Sequence, residues 1–98
     1  MENQFQMHNP PHPGEVLKEL YLEPLNITMT LFSSKIGVRR ATVSDLVNGK
    51  SSLTTRMALK LAKAFKTSPD LWIGLQMQYD LWQEQQRYNA DDVQVICG

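Results

Sequence analysis

The sequence predicts an all-α domain of five helices. Three observations carry that prediction. Apolar residues recur at helical spacing in five separate stretches. Threonine, serine or proline stands at the start of most of those stretches, where a helix start favours it. Glycine or proline stands where most of them should stop.

The first helix opens at Pro13, whose missing N–H would have had no partner in the first turn. Glu15 then lies close to the positive end of the helix dipole. Val16, Leu17, Leu20 and Tyr21 fall at helical spacing and are expected to face the core, and Pro24 ends the element. The second helix is capped by Thr28, with Ile27 and Phe32 placed as a hydrophobic staple, and it runs to Ile36 before Gly37. The third is short, about Arg40 to Val47, with Gly49 after it. The fourth starts at Thr54 or Thr55 and turns Met57, Ala58, Leu61, Ala62 and Phe65 inward. The fifth opens at Ser68-Pro69-Asp70, a cap followed by proline and an acid, and extends to about Arg87. Residues 1–10 read as a polar arm, 11–88 as the helical domain and 89–98 as a tail. In the tail Val93 and Val95 alternate with Gln94 in the pattern of a short strand.

A chain of 98 residues suits one domain, and 42% apolar residues are enough for one thin core. Cys97 is the lone cysteine, so no internal disulfide can form, which suits a reducing compartment. No stretch approaches the roughly 18 apolar residues of a membrane span. Met1 to Asn9 is polar and lacks the apolar core of a signal peptide. The expected location is the cytoplasm, with no membrane partner.

The formal net charge is zero, but the charge is unevenly spread. Residues 1–34 set Lys18 against Glu2, Glu15, Glu19 and Glu23, a net −3. Residues 35–69 carry Lys35, Arg39, Arg40, Lys50, Arg56, Lys60, Lys63 and Lys66 against Asp45 alone, a net +7. Residues 70–98 set Arg87 against Asp70, Asp80, Glu84, Asp91 and Asp92, a net −4. A cationic middle block is the electrostatic footprint of a polyanion binder. Catalysis finds no footing. The only histidines, His8 and His12, lie in the proline-rich N-terminal stretch, and no Cys/His or carboxylate group has metal-ligand spacing. No glycine loop suits a phosphate, and Ser44 lacks the surroundings of a catalytic serine. The sequence therefore predicts no catalytic residue, no metal and no cofactor.

The informative segment runs from Met29 to Asn48. Counting Met29 as position one, Gly37 is ninth, and Phe32, Ile36, Val38, Val43 and Leu46 fall at positions four, eight, ten, fifteen and eighteen. Those are the places where two short helices crossing steeply must bury apolar groups, and the small Ser33 at position five allows their close approach. The pattern resembles the helix-turn-helix of the XRE-type repressors, a lambda-repressor-like fold. The resemblance implies that the third helix lies in the major groove of double-stranded DNA. Its base-reading residues would be Arg40, Ala41, Ser44 and Asp45: a guanine partner for the arginine, a thymine methyl for the alanine, a cytosine amino group for the aspartate. Thr30, Arg39, Thr42, Asn48, Lys50 and Ser51 would hold the DNA backbone, positioning without specifying. Arg39 is a poor cap for the third helix, and two adjacent cations there oppose the dipole, a cost of ~0.5–1 kcal/mol that phosphate would offset.

The likeness extends further. His12-Pro13-Gly14-Glu15, Leu25, the run Leu53 to Ala62 and the run Ser68-Pro69-Asp70-Leu71-Trp72 to Leu81 resemble the HigA (VapI-type) antitoxins, over about Pro11 to Gln86. That resemblance implies a double role: neutralising a HigB toxin, a RelE-like ribosome-dependent mRNA endonuclease, and repressing its own operon. The alternative is a stand-alone XRE-family repressor with no toxin. Asp45 departs from the basic or neutral residue common near there, which leaves the groove role intact and the operator sequence open.

A homodimer is also expected. On a helical wheel Leu71, Leu75, Tyr79, Trp82 and Trp72 share one arc of the fifth helix, while Ile73, Met77 and Leu81 share roughly the opposite arc. A helix with two apolar stripes is either buried all round or shared with a partner. So small a chain favours sharing, and Ile73, Met77, Leu81 and Trp82 are the expected dimer contacts. Two recognition helices would then address half-sites roughly 34 Å apart.

Overall fold

A computed structural model of the protein describes residues 9–97. Helix α1 begins as regular α-helix over Pro13–Val16 and continues as a wider π-type helix over Leu17–Leu22. It is followed by α2 (Met29–Ile36), α3 (Arg40–Val47), α4 (Thr55–Phe65) and α5 (Pro69–Gln85). The expected five-helix, all-α architecture is what forms. Residues 1–8, most of the expected N-terminal arm, lie outside the described residues.

Local chemistry fixes the starts. Thr28, Thr54 and Ser68 each accept the N–H three residues on, from Leu31, Met57 and Leu71, at 3.1 Å in all three cases. Gly37 ends α2 in the left-handed region (φ 68°), where it donates back to the carbonyls of Ser33 and Ser34. Lys66 ends α4 in the same conformation (φ 56°) without glycine's freedom.

Leu17, Phe32, Val43, Leu46, Ala58 and Leu61 form the centre of the core with Trp72, which is fully buried. Tyr21 bridges the aromatic rings of Phe65 (4.7 Å) and Trp72 (5.4 Å), and Phe32 stacks on Phe65 at 5.7 Å. The Trp72 indole N–H donates to Thr67 Oγ1 at 2.8 Å, so this buried ring keeps its polar atom satisfied.

Four sequence expectations change. Leu20, placed inward by a 3.6-residue period, is 66% exposed, because the π-type stretch turns Leu22 inward in its stead. His12, read from the sequence only as part of a proline-rich N-terminal stretch, is packed into the fold. It is buried, its Nδ1 accepts the Gly14 N–H at 2.9 Å as the cap of α1, and its ring meets Tyr79 edge-on at 4.9 Å. On α5 the buried line runs through Trp72 and Gln76, with Tyr79 half-buried beyond them, so Leu71 stands 43% exposed, off the core arc. The tail forms a turn at Asp91 and Asp92, and no strand forms among the described residues. A lone extended segment has no second strand to bond with.

Candidate nucleic-acid interface

Helix α3 owes its orientation to Val43 and Leu46, both buried, with Val47 half-buried beside them. At about 100° per residue, the opposite side is centred on Ala41 and Asp45. Thr42 and Ser44 flank them, and Arg40 stands at the N-terminal end. Arg40, Ala41, Thr42 and Asp45 are exposed, while Ser44 is half-buried and accepts from Asn48 Nδ2 at 3.3 Å. The four residues assigned to base reading thus share one outward-facing surface.

The flanking residues cluster around it. Arg39 occupies the cap position with extended backbone (φ −64°, ψ 145°), and its side chain caps nothing. Thr30 is exposed in the first turn of α2, and Lys50 and Ser51 are exposed in the link from α3 to α4. Among the described residues the ion pairs are Lys18–Glu23 at 3.9 Å and Arg87–Glu84 at 2.7 Å. Arg39, Arg40 and Lys50 therefore have no ion-pair partner among the described residues.

The supports of α3 are built for fixed placement. Ser33 is buried under the α2–α3 crossing and donates to the Thr30 carbonyl at 3.0 Å. Gly14 of α1 lies against the backbone of Leu46 and Val47 at the far end of α3.

The cationic block does not form one face. Lys60 Nζ donates to the Ile36 carbonyl at 2.8 Å and closes the end of α2. With Lys35, Arg56 and Lys63 it rims an open groove of about 800 Å³ between α2 and α4, whose lining includes Ile27, Leu31 and Leu59. Part of the positive charge thus serves the α2–α4 junction, away from α3. No helix among the described residues is long and apolar enough to cross a membrane.

Sequence reasoning missed Gln76. It is buried in the middle of the core-facing side of α5, where its Oε1 accepts the Leu53 N–H at 2.7 Å and its Nε2 donates to Asp80 Oδ1 at 2.9 Å. That pair pins the α3–α4 link, which bears Lys50 and Ser51, to α5. The only signal in the sequence was a glutamine standing on the line of an apolar stripe.

The comparisons agree with this geometry. Residues 17–72 match the family model described as Helix-turn-helix. An HTH-type transcriptional regulator of Haemophilus influenzae, itself uncharacterized, is 44% identical over 74% of this chain and 68% of that protein. The antitoxin HigA-1 of Vibrio cholerae is 42% identical over 80% of this chain and 73% of its own length. Among solved structures, the antitoxin GraA in complex with its operator superposes with a TM-score of 0.86 at 26% identity, covering 100% of this chain and 99% of that one. The chain belongs to the XRE-type helix-turn-helix family, in the group that holds the HigA antitoxins.

Proposed function

We propose that this chain is the antitoxin of a toxin–antitoxin pair, a cytoplasmic repressor that reads operator DNA through α3 and neutralises an mRNA-cleaving toxin of the HigB type. The observation that carries the DNA half is the outward side of α3. Arg40, Ala41, Ser44 and Asp45 stand on it, and cations with no ion-pair partner among the described residues flank it, in a chain that superposes on an operator-bound antitoxin with a TM-score of 0.86. Arg40 is the guanine reader, Ala41 the thymine-methyl contact, and Asp45 the acceptor for a cytosine amino group. Arg39 and Lys50, with Thr30, Thr42, Asn48 and Ser51, hold the phosphates.

The working unit is a two-fold dimer. Met77 and Leu81 are 65% and 59% exposed on one side of α5, with Ile73 and Trp82 half-buried at its margins. A methyl group added at Gly74 would meet nothing within 4 Å, so this side of α5 is open to a second backbone. The toxin half rests on the antitoxin relatives and on the exposed carboxylates of Glu15, Glu19 and Glu23 on α1 and just after it.

The test is co-expression with the small open reading frame adjoining the gene. A co-purifying basic protein, toxic when expressed alone and harmless beside this chain, supports the antitoxin reading. Operator binding by a chain that rescues no neighbouring product leaves a stand-alone repressor.

A further inference from the structure

The π-type stretch of α1 has a consequence for the surface. Its wide hydrogen bonds continue into the Glu23 N–H to Lys18 carbonyl bond at 2.9 Å, so residues five apart share a side. Leu17 and Leu22 share the buried side, at 0% and 4% exposure. Leu20 stands on the solvent side at 66% exposure, and Leu25, in the turn that follows the helix with its N–H on the Tyr21 carbonyl, is a second exposed leucine of this ridge at 59%. A regular α-helix would have turned Leu20 toward the core. The chain instead adopts a rare helix type, frequent at functional sites, and Leu20 stands in water as a result.

The flanks of this ridge are acidic. Glu15, Glu19 and Glu23 are exposed, and the one cation among them, Lys18, lies 3.9 Å from Glu23. We propose that the Leu20–Leu25 ridge is the surface that docks the toxin, a partner whose own surface offers an apolar depression framed by lysine and arginine. This rests on the antitoxin reading above. A nuclease that cleaves mRNA must hold a polyanion, so the face around its active site is cationic. An apolar ridge with carboxylates beside it matches that face: the leucines supply the buried anchors and the glutamates supply attraction at a distance. The same carboxylates repel phosphate, so the ridge is unsuited to DNA and remains available for protein while α3 is engaged.

The probe is the product of the adjoining open reading frame, purified and titrated with this chain. Leu20→Arg with Leu25→Arg should bind it at least about 30-fold more weakly and fail to rescue growth, with operator affinity and thermal unfolding unchanged. Leu20→Met should bind as wild type does. Glu19→Lys with Glu23→Lys should slow association and flatten its salt dependence. Should the arginine variant also lose operator binding through misfolding, the charge-reversed variant decides. Wild-type binding and rescue by both double variants would overturn the inference and leave the antitoxin reading standing. A wild-type chain that neither binds nor rescues would overturn both.

Discussion

Gly14 lies against the carbonyl of Leu46 with no room between them for a methyl group. The first turn of α1 thereby rests on the C-terminal backbone of α3, and neither side can yield as a flexible side chain would. Gly14→Ala should destabilise at the upper end of the ~1–3 kcal/mol typical of overpacking. It should also weaken operator binding, because α3 has to tilt. Thermal unfolding and a binding titration of the same variant check both, and an unchanged melting temperature would contradict the packing described.

Gln76 makes a second long-range tie, and its removal has a defined cost. Gln76→Leu leaves the buried Leu53 N–H without its acceptor at 2.7 Å. A loss of about 1–3 kcal/mol is expected from denaturant unfolding, despite the gain in apolar character. Gln76→Glu keeps an acceptor but sets a carboxylate against Asp80, so it should also destabilise.

These two ties show where the sequence was legible. Starts set by a neighbour three residues away, at Thr28, Thr54 and Ser68, can be read from the chain because cap and capped group are local. The turn at Gly37 and the outward residues of α3 follow from spacing within one twenty-residue segment. Leu20 was misread because a π-type helix leaves the residue types unchanged and alters only the period. Gln76 and His12 were misread because their roles depend on Leu53, 23 residues away, and on Tyr79 across the fold. The cationic block looked uniform because charge counts do not reveal that Lys60 closes α2.

Lys66 offers the opposite kind of test. It ends α4 at φ 56°, a conformation that costs a side-chain-bearing residue roughly 1 kcal/mol relative to glycine. Lys66→Gly should therefore stabilise the fold by about 0.5–1 kcal/mol, visible as a higher melting temperature. Operator affinity should hardly change, since Lys66 lies away from α3.

The exposed side of α5 predicts the assembly. Met77→Glu with Leu81→Glu should shift sedimentation from dimer to monomer and weaken operator binding, because two linked half-site contacts become one. Both side chains are well exposed, so the monomer should keep its helical signal. A variant that remains dimeric would move the interface elsewhere.

DNA recognition is tested most directly by fluorescence anisotropy on the duplex upstream of the gene, across a range of salt, for the wild-type chain, Arg40→Ala and Lys50→Ala. Wild type should bind at least about 10³-fold more tightly than to a scrambled duplex, with affinity falling steeply as salt rises. Arg40→Ala should lose roughly 1–3 kcal/mol and one base preference, whereas Lys50→Ala should weaken every sequence alike and reduce the salt slope. Equal affinity for both duplexes, or two variants that bind as wild type does, would contradict operator reading by α3.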